Sequence, residues 1–148
     1  MSTWTTQIAC EAAPEAVLDL LTAPRAIACW SPVPFELVDF DHARLSAGDR
    51  VRVCGELAGR RVEFMVDVID AGDDRLALTA TGPIRLDVEY VVSPAGRGSR
   101  VRGCIGVSGG GLLGRLLARA TDALLAGGAL RIALDRISAE VQRTALAA

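Results

Sequence analysis

Tyr90 is the side chain best placed to do chemistry within an otherwise apolar part of this sequence. It is the single tyrosine among 148 residues, and it continues an alternating row formed by Ile84, Leu86, Val88 and Val92. A period of two predicts a strand with one buried face, so the phenol should point inward among apolar side chains. Its hydroxyl then either reaches a backbone partner or the cavity mouth, as in a core tyrosine, or donates a hydrogen bond to a ligand carbonyl or phenol.

The remaining reactive side chains form no recognisable catalytic or metal-binding group. The single histidine, His42, follows Asp39 and Asp41 in a loop, and one histidine beside two aspartates does not have the spacing of a metal site. The four cysteines are far apart in the chain: Cys10, Cys29, Cys54 and Cys104. We interpret them as small, mostly buried hydrophobic residues. The sequence therefore predicts no metal and no cofactor.

The basic residues also exclude several kinds of chemistry. All of them are arginine, so neither a Schiff-base lysine nor the lysine of a phosphate-binding loop is present. Arg100 and Arg102 alternate with apolar residues and should pair on the outer face of the sheet. The glycine run Gly109–Gly111 before a helix could bind an anion, although a hinge is the favoured interpretation.

Composition and charge limit the classes of partner. The net charge of −2 comes from interspersed arginine, aspartate and glutamate, which offers no large field for nucleic acid or anionic lipid. No apolar run approaches the roughly 18 residues of a transmembrane helix, and the first residues do not resemble a signal peptide. We expect one cytoplasmic domain covering residues 1–148, without stable membrane insertion.

The elements that position Tyr90 can be predicted from the spacing of apolar residues. Residues 4–10 alternate as a strand, and Pro14 and Pro24 each occupy the first turn of a short helix. From Phe35 the chain predicts an antiparallel meander, because the short turns leave no room for parallel crossovers. The inward row of the meander comprises Val51, Val53, Gly55, Val62, Phe64, Val66, Val68, Leu76, Leu78, Ala80, Ile84, Leu86, Val88, Tyr90, Val92, Val101, Gly103, Ile105 and Val107.

The last part of the chain predicts one long amphipathic helix, roughly 45 Å in length. Its apolar residues recur close to the helical period and widen into a stripe in the first half: Leu112, Leu113, Leu116, Leu117, Ala120, Ala123, Leu124, Gly127, Leu130, Leu134, Ile137 and Val141. The interior pair Gly127–Gly128 has two interpretations. It marks either a kink or a close approach to the sheet, or else it leaves room for a ligand against the helix backbone.

The order of these elements resembles the helix-grip fold of the START and birch-pollen-allergen superfamily, and in particular the polyketide cyclase/dehydrase and lipid-transport (SRPBCC) group. The resemblance rests on segments 8–21, 24–32 and 47–51 and on the terminal amphipathic helix. It implies an α+β fold in which a curved antiparallel sheet wraps around a long C-terminal helix, with two short helices after the first strand. It also implies that Trp30 lies near a pocket entrance.

We therefore expect a protein that binds a hydrophobic small molecule, such as a polyketide, isoprenoid or lipid-like compound, between sheet and helix. The candidate ligand-binding residues are Trp30, Phe35, Val53, Phe64, Val66, Leu78, Leu86, Val88, Tyr90, Leu116, Leu117, Ala120, Leu124 and Gly127. Two alternatives remain open. One is a polyketide cyclase or aromatase that uses the same cavity with Tyr90, Asp39, His42 or Thr22; the other is an accessory protein that binds partners without a ligand. The sequence also leaves a homodimer open.

Overall fold

The computed structural model describes residues 2–31, 35–38, 40, 43–57 and 59–147. Within them the elements follow in the order β1 (Ser2–Cys10), α1 (Pro14–Thr22), α2 (Pro24–Trp30), β2 (Phe35–Leu37), β3 (Arg50–Leu57), β4 (Arg60–Ala71), β5 (Arg75–Thr81), β6 (Arg85–Ala95), β7 (Gly98–Ser108), α3 (Gly111–Ala126) and α4 (Ala129–Ala147). The two short helices begin at the prolines that predicted them, because a proline at the first helical position needs no hydrogen-bond donor. The predicted α+β class is confirmed.

The described strands form one antiparallel sheet in the order β1-β7-β6-β5-β4-β3-β2. Consecutive strands from β2 to β7 are neighbours, as expected of a meander, and β1 pairs with β7 through contacts such as Ile8 opposite Val101. The predicted inward register is confirmed, since Leu78 lies opposite Val88 and Tyr90 lies opposite Gly103 on the same face. A one-residue slip would have carried charged side chains into the core.

The opposite face of the sheet carries the charged residues in cross-strand ion pairs. Arg52 contacts Glu63 at 2.9 Å, and Arg102, one of the two arginines predicted to pair on this face, lies 4.0 Å from Glu89. Arg75 bridges three strands, with Nε 2.9 Å from Asp70 and Nη1 3.0 Å from Glu89. All these side chains remain at least partly exposed, so the pairs keep the outer face hydrated while the inner face packs against helices.

The predicted single C-terminal helix is interrupted. Helix α3 ends at Ala126, and α4 starts at Ala129. Gly128 between them has φ +96°, a left-handed conformation that ends a helix and favours glycine. Of the two interpretations of the glycine pair, the structure shows the break in the helix. The break also changes which face of helix α3 packs toward the sheet.

The helices close the inner face of the sheet. Residues Ala133, Leu134 and Ile137 of α4 are fully buried in the core that includes Val17 and Leu21 of α1. The start of the chain is tied to α3, because Asp122 accepts hydrogen bonds from Ser2 Oγ at 3.0 Å and from Trp4 Nε1 at 2.9 Å. Sheet and helices thereby enclose the space described next.

Candidate functional site

A cavity of about 130 Å³ lies between the inner face of the sheet and the helices. It is lined by Pro24, Ile27, Trp30, Ser31, Phe35, Leu37, Leu45, Val51, Val53, Gly55, Phe64, Val66, Leu76, Leu78, Ala80, Leu86, Val88, Tyr90, Ile105, Thr121 and Leu125. Strands β3 to β6 contribute alternate residues, because alternate side chains of a strand share one face, and β7 contributes Ile105. The lining is therefore almost wholly aliphatic and aromatic.

The sheet and α2 bring most of the sequence-predicted residues together at this cavity. The predicted residues that line it are Trp30, Phe35, Val53, Phe64, Val66, Leu78, Leu86, Val88 and Tyr90. They come from α2, β2, β3, β4, β5 and β6, and the inward alternation of the strands accounts for the sheet residues among them.

The predicted residues of the C-terminal helix lie elsewhere. Leu116 is 56% exposed and Leu124 is 39% exposed, so both point away from the sheet. Leu117 is buried, but neither it nor Ala120 lines the cavity, and Gly127 is an exposed residue of the turn between α3 and α4. The structure therefore places none of these five residues at the cavity. The break after α3 turns Leu116 and Leu124 away from the sheet, whereas Leu117 faces the core without lining the cavity.

Several lining residues were not predicted, although some carried a signal. Thr121 and Leu125 follow Leu117 at intervals of four, which is a helical spacing. The neighbouring face of the helix is richer in leucine, so the sequence favoured that face as the buried one. Ile27 lies three residues after Pro24 on α2, which is also a helical spacing. Leu45 had no local signal, since a loop residue is placed by a long-range contact: its amide donates to the Thr22 carbonyl at 2.8 Å.

Tyr90 is fixed in the wall of the cavity by its neighbours. Its ring meets the Trp30 ring edge-on, with centroids 5.0 Å apart and planes at 83°. On the other side it packs over Gly103, where a Cβ atom would lie only 2.9 Å from Tyr90 Cε1. Glycine is therefore required opposite Tyr90, and it leaves the space that the tyrosine ring occupies.

The Tyr90 hydroxyl is buried and has no hydrogen-bond partner among the described residues. Burial raises the pKa of this phenol well above its usual value, because the anion would lose its hydration. The group therefore stays protonated and can donate a hydrogen bond. Unpaired hydroxyls of this kind are rare in protein interiors.

Other polar groups in the lining are already engaged. Thr121 Oγ1 donates to the Leu117 carbonyl at 2.9 Å, and Trp30 Nε1 donates to the Leu20 carbonyl at 3.3 Å. Thr22, one of the polar residues considered for an enzyme, donates to the Leu18 carbonyl at 2.8 Å and does not line the cavity. Asp39 and His42 lie outside the described residues.

No carboxylate, histidine or arginine is among the described residues that line the cavity. Across the described part of the chain, no three histidine, cysteine, aspartate or glutamate residues are grouped so as to hold a metal ion. The cysteines are unpaired thiols at separate places, with Cys10 buried and Cys29 exposed. None of the described helices has the length and apolar character needed to cross a bilayer.

Solved structures of low sequence identity share this fold. No protein-family model matches the chain, and no curated protein matches it by sequence. A START superfamily protein from Mycobacterium smegmatis is similar with a TM-score of 0.69 at 15% identity, over 96% of this chain and 98% of the other. Ara h 8.0201 gives a TM-score of 0.63 at 11% identity, over 96% and 98% of the two chains.

A third similar structure is DynU16, a protein in the dynemicin biosynthetic locus. It has a TM-score of 0.60 at 16% identity, and the match covers 96% of this chain and 48% of DynU16. Together these structures confirm the helix-grip fold that the sequence predicted. At such identities the likeness concerns the fold alone.

Proposed function

We propose that this protein binds a hydrophobic small molecule in the cavity between its sheet and its helices. The observation that carries the proposal is the lining itself, in which apolar side chains from eight elements converge on about 130 Å³ of space. An engineered cavity of about 150 Å³ with a similar lining binds benzene. A ring or a short branched alkyl segment therefore suits this cavity in size.

The chemistry of the lining favours an uncharged ligand. Moving apolar surface out of water contributes about 25 cal/mol per Å², whereas an unpaired charge in such surroundings costs several kcal/mol. The described lining residues offer no counter-charge. We expect the ligand to be polyketide, isoprenoid or lipid-like in its buried part.

A pair of substitutions on β6 tests the proposal. Val88 lines the cavity, whereas Val91, three residues later, lies on the other face of the same strand. Val88→Phe should fill the cavity and weaken ethylbenzene binding about tenfold or more, while Val91→Phe should leave it close to the wild-type value. Calorimetric titration of the three proteins would measure the dissociation constants.

The control matters because a larger side chain can also destabilise the fold. Equal losses in the Val88→Phe and Val91→Phe proteins would indicate a general disturbance and contradict a site at the cavity. If ethylbenzene, naphthalene and cyclohexane all fail to bind the wild-type protein, the proposed function is wrong. An accessory role without a ligand would then be the better interpretation.

A cyclase-type enzyme in the same cavity is the second candidate, and the buried Tyr90 hydroxyl is the observation that favours it. The hydroxyl could donate to a carbonyl oxygen as a neighbouring carbon loses its proton. Enolisation also needs a base, and the described lining residues include none. Exchange of the acetophenone methyl protons with solvent deuterium, faster with wild-type protein than with Tyr90→Phe, would favour the enzyme over the binding protein.

A further inference from the structure

We propose that the Tyr90 hydroxyl selects ligands by donating a hydrogen bond to an uncharged acceptor oxygen, so that the cavity prefers a ketone, aldehyde, ester or quinone over a hydrocarbon or a carboxylate. This inference rests on the proposed function and narrows it to one chemical class. The inference follows from a single hydroxyl, that of Tyr90, which has no partner among the described residues and belongs to a residue of the apolar lining.

The first step is the unsatisfied state of the hydroxyl. Tyr90 lines the cavity, and its oxygen is buried without a partner among the described residues. Leaving a buried hydroxyl unpaired is unfavourable, and a ligand oxygen that moves the surrounding side chains far enough to reach it would remove that penalty. A hydrocarbon of the same shape would leave it in place. The site is therefore able to discriminate between the two.

The second step is the rigidity of the ring. Trp30 meets the Tyr90 ring at a centroid distance of 5.0 Å, and the ring also packs over Gly103 of the neighbouring strand. The phenol cannot swing away to find a partner elsewhere without displacing these neighbours. A donor held in place loses little conformational freedom when a ligand binds, which increases its effect on specificity.

The third step is that the described lining contains no cation and that its other polar side chains already have partners. The hydroxyl of Thr121 and the indole of Trp30 already donate to the backbone carbonyls of Leu117 and Leu20. A carboxylate would be buried with one donor and no positive charge, which does not offset the loss of its hydration. An uncharged carbonyl oxygen needs only the single donor that Tyr90 supplies.

Three probes of nearly the same shape test the inference: ethylbenzene, acetophenone and benzoate. Acetophenone replaces the benzylic methylene of ethylbenzene with a carbonyl, and benzoate replaces the methyl ketone with a carboxylate. Relative to their transfer from water to an alkane, acetophenone should gain about three- to tenfold in affinity over ethylbenzene in the wild-type protein. In Tyr90→Phe this gain should fall to about one, and benzoate should bind most weakly to the wild type.

Infrared spectroscopy gives a second measurement that needs no variant. The carbonyl stretch of bound acetophenone should lie at lower frequency than in an alkane, and Tyr90→Phe should return it to the alkane position. A shift that persists in the variant, an affinity gain that survives it, or tighter binding of benzoate than of acetophenone would overturn the inference. Equal binding of ethylbenzene and acetophenone after the transfer correction would overturn it while leaving the proposed function intact. If none of these probes binds, and naphthalene and cyclohexane also fail to bind, both proposals are wrong.

Discussion

At the scale of single residues, Tyr90 combines a large apolar contribution to the core with one unsatisfied polar atom. The aromatic ring packs between Trp30 and Gly103, whereas the hydroxyl is buried without a partner among the described residues. An unpaired buried hydroxyl costs about 1–3 kcal/mol. Under the proposed function, a ligand oxygen that accepts from this hydroxyl would offset the cost.

The same burial predicts an alkaline weakening of the fold. Burial raises the pKa of Tyr90 in the folded protein, so below about pH 10 the phenol is protonated both folded and unfolded and stability is unaffected. Above about pH 10 only the unfolded chain releases the proton, and stability falls by up to about 1.4 kcal/mol per pH unit. Urea unfolding of wild type and Tyr90→Phe at several pH values would measure the difference between their slopes.

The composition allows the ionisation of Tyr90 to be followed without interference from other tyrosines. Tyr90 is the single tyrosine and lysine is absent, so tyrosinate absorbance reports this group alone. Groups that both proteins share cancel in the comparison. Tyrosinate absorbance that rises near pH 10 in the folded protein, without unfolding, would contradict the buried position.

At the scale of elements, the break at Gly128 decides what the C-terminal segment presents to the cavity. Extending the stripe of Leu130, Leu134 and Ile137 backwards through a continuous helix would bring Leu116 inward. Because Gly128 adopts φ +96°, the helical periodicity of α4 does not continue into α3. The inward side of α3 instead includes Leu117, Thr121 and Leu125, whose intervals of four place them on one face.

Two alanine substitutions in α3 test this orientation. Leu125→Ala should reduce the free energy of unfolding by about 2–5 kcal/mol, since it removes a buried side chain and enlarges the cavity. Leu116→Ala removes an exposed side chain and should change stability by about 0.5 kcal/mol or less. Chemical denaturation of both variants would measure these values, and a greater loss for Leu116→Ala would contradict the observed phase.

At the scale of the whole molecule, the sheet separates a charged outer face from an apolar inner one. The ion pairs lie on the outer face of the sheet. Arg50 is 3.2 Å from Asp67, and Arg75 contacts both Asp70 and Glu89. The stability of the molecule should therefore come from the core beneath the helices. Exposed pairs contribute about 0–1 kcal/mol each.

This division predicts a weak response to salt. Raising sodium chloride from about 0.1 M to about 1 M shortens the screening length from about 10 Å to about 3 Å and should weaken the outer pairs. We expect the unfolding free energy to change by about 1 kcal/mol or less. Urea denaturation at both concentrations would measure it, and Arg52→Gln offers a variant with one pair already removed. A loss of several kcal/mol in the wild type would assign the outer face a larger role.

Much of the fold was predictable because its signals are local. Alternation from Val51 to Val107 specified which strand residues face inward, and Pro14 and Pro24 marked the two short helices. The sheet side of the cavity followed from the same alternation, including Val53, Phe64 and Tyr90. Each of these predictions depends on the period of an element and on the cost of burying charge. Both follow from the spacing of apolar and charged residues in the sequence.

The tertiary structure alone decided the rest of the candidate site. The backbone turn at Gly128 set the orientation of α3, and a long-range hydrogen bond placed Leu45 at the cavity. Whether the Tyr90 hydroxyl finds a partner depends on every group packed around it, from Trp30 on α2 to Gly103 on β7. The sequence by itself determined which residues face inward along each strand, because that pattern is local; the lining contributed by the helices and the orphaned donor emerged only when distant elements packed together.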